Sequence, residues 1–198
     1  MKKLLLPLLF LTCFSASAQY YYKDIVGTRE TAGIIAAYKA NKVQKVVVNS
    51  YDANNTRSED FYVEQVFNAA ADRLQTITRS AAQGSSILTS FTDAAGRVLR
   101  TVDSTDNMVS TTSYRYDNNG NLLQVITNSK DTSGRMNETE EHQWQYQNGQ
   151  VQQMLRIING RDTTFVSFKL DEKGNVTEEH SVRRGVKSEP VYYYYDAN

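Results

Sequence analysis

Tyr114-Arg115-Tyr116-Asp117-Asn118-Asn119-Gly120-Asn121-Leu122 decides the fold. Tyr114 and Tyr116 alternate with Arg115, so in a strand the two rings stand on one face. Asp117 sits where a turn begins, and its carboxylate is placed to accept backbone amides two residues on. Gly120, at the fourth position of the turn, supplies the positive φ that a type I turn followed by a bulge requires. Leu122 then opens a returning strand. Nine residues thus read as strand, turn and strand.

The same unit recurs along the chain. Phe168-Lys169-Leu170-Asp171-Glu172-Lys173-Gly174-Asn175-Val176 matches it throughout, and Phe91-Thr92-Asp93-Ala94-Ala95-Gly96-Arg97-Val98 matches with its aromatic shifted by one. Trp144-Gln145-Tyr146-Gln147-Asn148-Gly149-Gln150-Val151 is a shortened copy. Degenerate copies occupy residues 49–55, where Asn55 stands for the glycine, and residues 66–71. The turn aspartates Asp93, Asp117 and Asp171 and the later Asp196 are 24, 54 and 25 residues apart, and Gln147 divides the longer interval into 30 and 24. A period near 24 suits two strands plus two turns. Polar stretches at 103–107, 128–135, 159–162 and 183–185 read as the loops between units. The expected fold is all-β: an antiparallel meander of repeated β-hairpins, open or curled. One short helix is added at 28–42, where Thr28 is placed to cap and Ile34, Ile35 and Tyr38 to share a face.

Tyr-x-Tyr-Asp-x-x-Gly-Asn-Leu, as it stands at 114–122, resembles the YD repeat of Rhs and teneurin-type proteins. The resemblance spans residues 45–198, more faintly before Asp93. It implies β-hairpin repeats and no particular activity. Rhs shells are far longer and enclose a cargo, whereas this chain has few units and no toxin or autoproteolytic segment. It looks more like the small exported YD-like proteins of Gram-negative bacteria. The run 193–198 reproduces only the first half of a repeat, so the expectation is a chain that continues beyond Asn198.

The N-terminus carries an export signal. Lys2 and Lys3 precede an uncharged stretch at 4–14, and Ala16-Ser17-Ala18 provides the small residues a signal peptidase needs. A stretch of eleven residues is too short to span a bilayer as a helix. Cleavage is expected between Ala18 and Gln19. Thr12 before Cys13 is a poor lipoprotein box, so Cys13, the chain's one cysteine, is expected to leave with the leader. The organisation read from the sequence is a signal peptide at 1–18, a helical segment at 19–44 and a repeat domain at 45–198.

The 22 basic and 22 acidic residues become 20 and 22 without Lys2 and Lys3, a net charge of −2, and no basic block exceeds Arg183-Arg184. Nucleic acid is not an expected partner, because displacing counterions takes clustered cations. Both histidines follow paired glutamates, Glu140-Glu141-His142 and Glu178-Glu179-His180. Imidazole beside carboxylate is a metal-ligand set. In a meander, however, the two lie three strands apart, about 14 Å on a flat sheet, too far for one ion. They read as solvated strand residues. Glu138, Glu140, Glu141, Glu178 and Glu179 offer the paired carboxylates of a glycosidase. They equally suit an exposed strand that guards its edge with charge, which is the preferred reading. No Gly-x-Ser-x-Gly elbow marks a nucleophile. The tyrosine runs at 20–22 and 192–195 read as cross-strand packing, with a role as exposed anchors for a partner as the alternative. Asp103-Ser104-Thr105 and Asp162-Thr163-Thr164, placed in loops, resemble acceptor motifs for periplasmic O-glycosylation.

No residue is assigned to catalysis, a cofactor or a metal. The expectation is an exported, non-catalytic binding or structural module in the periplasm, at the cell surface or outside the cell. Its partner is a protein or glycan, without a transmembrane anchor. A carboxylate-dependent glycan hydrolase is the alternative.

Overall fold

The computed structural model describes residues 20–195 apart from Gln83, and only the backbone of Glu59. The expected cleavage site at Ala18 and Gln19, Cys13, and residues 196–198 lie outside the described residues. Helix α1 (Lys23–Ala40) precedes the strands β1 (Lys45–Tyr51), β2 (Arg57–Asn68), β3 (Arg73–Ser80), β4 (Gly84–Thr92), β5 (Val98–Thr105) and β6 (Met108–Tyr116). β7 (Leu122–Asp131), β8 (Asn137–Gln147), β9 (Gln150–Ile158), β10 (Asp162–Leu170), β11 (Val176–Arg183), β12 (Val186–Lys187) and β13 (Val191–Tyr192) follow. The strands pair antiparallel in chain order from β1 to β12, with β13 beside β12 on β11, so the sheet is an open meander.

The repeat turns have the chemistry read from their residues. Asp117 accepts Asn119 N–H and Asn121 N–H on Oδ1, both at 2.8 Å, while Gly120 N–H donates to the Asp117 carbonyl at 3.1 Å. Asp93 and Asp171 do the same around Gly96 and Gly174. The shortened copy closes through Asn148 and Gly149, both at positive φ. All of these turns lie at one end of the meander, because two strands separate each from the next. The degenerate copy at residues 49–55 forms the same turn, with Asn55 at φ 64°, but it joins β1 to β2 at the opposite end and is out of phase with the others.

Each of these hairpins carries one bulge just after its turn. Tyr116 pairs with Leu122 while Arg115 pairs with Gln124, and the same slip occurs at Val98, Val151 and Val176. The extra residue makes positions i and i+3 after the turn share a face. Leu122 and Val125, and Val151 and Met154, are accordingly buried together with Trp144, Val166 and Phe168. Trp144 stacks on Phe168 with ring centroids 5.5 Å apart. In the unit with the shifted aromatic, Phe91 lands on the outer face under Arg100, and Ser90 and Thr92 are buried in its place.

Helix α1 covers this inner face. It begins five residues before the expected start, and Thr28 does not cap it. The Thr28 hydroxyl donates to the carbonyls of Asp24 and Ile25 within the helix. Ile25, Thr28, Ile35 and Tyr38 point inward, whereas Ile34, expected on the same face as Ile35, is exposed, because one helical step turns a side chain by about 100°. Asp24 meets β8 and Tyr38 meets β2. Six strand spacings would take about 29 Å on a flat sheet, against about 21 Å of helical rise, and the side chains of Tyr38 and His142 reach across the difference. Among the described residues no helix is long and apolar enough to cross a membrane.

Several expected loops are strands. Residues 103–105 belong to β5, 128–131 to β7, and 162–164 to β10, so both glycosylation-like motifs lie in the sheet rather than in loops. A missed Asp-x-x-Gly turn, Asp131 to Gly134, joins β7 to β8. The last edge is split into β12 and β13, with Pro190 in the break.

Gly120 stands at φ +84° with open space where a Cβ would go. Gly120→Val therefore tests backbone strain alone and is expected to lower stability by about 1–3 kcal/mol in denaturant unfolding. An unchanged midpoint would contradict the turn assignment.

Candidate functional site

The start of α1 and the inner positions of β8, β9 and β11 assemble a group of buried charges. On β8, Trp144 fixes which residues face inward, and two-residue steps bring His142 and Glu140 to the same side. The ladder places Arg156 of β9 opposite His142, and Thr164 of β10 opposite Arg156. Asp24, in the first turn of α1, closes the group from above.

His142 is saturated. Its Nδ1 lies 2.5 Å from Asp24 Oδ2 and its Nε2 lies 2.7 Å from Glu140 Oε1. Arg156 donates to the other oxygen of Glu140 at 2.7 Å. Burial disfavours an imidazolium here, but the hydrogen bonds and charges of Asp24 and Glu140 outweigh it and hold the His142 pKa at about 9. Burial also opposes ionisation of Glu140, yet hydrogen bonds and charge from His142 and Arg156 bring it down to about 2. The row reads Asp24⁻, His142⁺, Glu140⁻, Arg156⁺. His142 is therefore not the solvated strand residue expected; it is buried because it lies two residues from Trp144 on the covered face.

Glu179 is the second departure from expectation. It is 2% exposed, not an edge-guarding surface charge. It accepts the amides of Tyr21 and Tyr22 at 3.0–3.1 Å, where the chain enters α1, and the Tyr193 hydroxyl at 2.7 Å. Burial pushes its carboxyl above the ordinary range, against these hydrogen bonds. Glu178 and His180 flank it on the outer face and pair with each other at 2.8 Å. The two histidines thus lie on opposite faces as well as three strands apart. Among the described residues no three His, Cys, Asp or Glu side chains gather in a way that could hold a metal ion. Glu138 and Glu141 are half-buried, the former on the inner face and the latter on the outer.

The tyrosine runs divide. Tyr21 is buried edge-on to His142, and Tyr193 packs against both Tyr20 and Tyr22, with ring centroids 5.2 and 5.6 Å away. Tyr192, Tyr194 and Tyr195 are exposed.

Beside the charged row lies a cavity of about 350 Å³. Its floor is the buried set Tyr21, Arg156, Thr164 and Glu179, and its rim includes the exposed Arg183 and Lys187. A second cavity of about 270 Å³ lies on the other side of Glu140 and His142. Sequence reasoning missed Asp24, Arg156, Arg183 and Lys187. The signal for Arg156 was available, since it alternates with Met154 and Ile158 on a strand whose other inward positions are apolar. No protein-family model matches the chain, and no curated protein matches it.

Proposed function

We propose that the chain is an exported, non-catalytic binding module of the cell envelope, built as a small YD-repeat-like hairpin array. The observation that carries this reading is the commitment of the acid–base groups. Both ring nitrogens of His142 and both oxygens of Glu140 and Glu179 are taken by internal partners. The cavity beside them has a buried polar floor and an exposed rim, the construction of a site that holds a small group.

The glycan-hydrolase reading has one observation in its favour: the carboxyls of Glu140 and Glu179 are driven in opposite directions, as an acid–base pair would be. They stand three strands apart in the sheet and share no hydrogen-bond partner among the described residues. Every oxygen of the two carboxylates already accepts an internal hydrogen bond.

Two measurements test the proposal. Fractionation with N-terminal sequencing is expected to find a soluble envelope or secreted protein beginning at Gln19, and a lipid-modified chain beginning at Cys13 would overturn that. Incubation with envelope glycans is expected to release no reducing ends. Release that disappears in Glu140→Gln would replace the binding reading with the enzymatic one.

A further inference from the structure

We propose that the 350 Å³ cavity binds a carboxylate that carries a short apolar substituent, drawn either from a free acylated amino acid or from the C-terminal residue of a peptide. This rests on the binding-module reading and specifies its ligand.

Three features point to an anion. Arg156 is 7% exposed, and its Nε finds no hydrogen-bond partner among the described residues. Its Nη2 is held by Glu140, which fixes the guanidinium in place at the floor. A buried donor without a partner is uncommon in folded proteins, and Arg156 lines the cavity. Above it, two further cations stand at the rim. Arg183 is held by Asp162 through Nε and Nη2, and Lys187 makes no ion pair among the described residues. A guanidinium fixed by one carboxylate edge and a free ammonium nearby make a pre-oriented receptor for a second carboxylate.

The two acidic lining residues do not cancel this. Glu179 gives its oxygens to the Tyr21 and Tyr22 amides and the Tyr193 hydroxyl, and Glu189 is exposed at the rim. Like charges repel, so an incoming anion is favoured on the Arg156–Arg183–Lys187 side. The hydroxyl-bearing Thr164 and Ser181 lie on that same side by register, opposite Arg156 and Val166 respectively. The substituent is set by the remaining wall, Val186 and Val191 on the split last edge together with the Tyr21 ring. These surfaces suit a methyl or isopropyl group better than a polyol. The break at Pro190 separates β12 from β13 at this wall, so the backbone beside the cavity is not occupied by a continuous ladder.

The test is calorimetric and NMR titration of the full chain with three probes: N-acetyl-alanine, the tripeptide N-acetyl-Ala-Ala-Ala with a free carboxylate, and the same tripeptide as its amide. Both carboxylates are expected to bind, and the amide at least tenfold more weakly. Tighter binding of the tripeptide than of N-acetyl-alanine assigns the peptide source; equal binding assigns the free acid. Lys187→Gln, at the exposed rim, is expected to weaken both acids at least threefold with an unchanged melting temperature. Arg156→Lys, which keeps the charge but loses the fork, is expected to weaken them further. Its folding is checked by circular dichroism, and Lys187→Gln remains decisive if it unfolds. Equal binding of acid and amide, no binding of either, or full binding by Lys187→Gln would overturn the proposal. Binding of acetate as tightly as N-acetyl-alanine would overturn the apolar wall. None of these results depends on whether glycans are cleaved, so the wider binding-module reading fails separately.

Discussion

Replacing His142 with leucine is expected to destabilise the fold by about 3–5 kcal/mol, because it removes a buried cation and leaves two half-buried carboxylates without it. Asp24 loses its hydrogen bond to β8, and Glu140 keeps Arg156. The effect should depend on pH. The folded-state pKa of His142, about 9, lies above its ordinary value of 6.5. The charged imidazole therefore contributes its full stabilisation below pH 6.5 and loses it as pH rises through about 9. Two and a half units amount to about 3 kcal/mol across that window. Glu140, held at about 2 against 4.5, contributes in the opposite sense: its share is present above pH 4.5 and is lost as pH falls towards 2. Glu179, pushed up by burial, favours the fold below pH 4.5 and loses that share as pH rises through its folded pKa. Urea unfolding at intervals from pH 6 to 9.5 is the measurement. Wild type should lose stability across this range while His142→Leu changes far less. Parallel curves would show that the His142 pKa is the same in the folded and unfolded protein.

The fold was legible because its turns are local. Asp117, Gly120 and Leu122 lie within six residues and dictate a hairpin whatever the rest of the chain does. The repetition of that unit makes the meander the economical topology. What the sequence concealed is the consequence of the bulge. Simple alternation from Val176 would put Glu178 and His180 inward, like Glu140 and His142 on β8. The extra residue after the turn shifts the register by one, and Glu179 goes in instead. The two Glu-Glu-His triplets look alike yet land on opposite faces. Aligning the units at their glycines exposes this: three residues after the first apolar residue stand Thr101, Val125, Met154 and Glu179. Glu179 occupies the position that Val125 and Met154 fill in the core. The other half of the site, Asp24 and Tyr21, comes from a segment outside the repeats. No periodicity relates it to a particular strand, so only the assembled fold shows where it docks.

That substitution of an acid into a core position leads to the second large effect. Glu179→Leu restores the apolar pattern of the repeat, and on packing grounds alone it should stabilise. The expectation here is the reverse, a loss of about 3 kcal/mol, or on the order of 10 °C in melting temperature. Leucine leaves the Tyr21 and Tyr22 amides and the Tyr193 hydroxyl without their acceptor, and an orphaned buried donor costs about 1–3 kcal/mol each. It also removes a negative charge from the N-terminal end of α1, where the helix dipole favours one. Glu179→Gln separates these contributions. It keeps one acceptor oxygen but turns an NH₂ towards donors, so it should fall between wild type and leucine. The location of the damage is as diagnostic as its size. Amide exchange should accelerate at residues 21–25 and at Tyr193, which donates to the Thr177 carbonyl, while β2 to β6 keep their protection. A leucine variant that melts with wild type, or loosens the whole sheet evenly, would show that Glu179 does not tie the helix to the sheet.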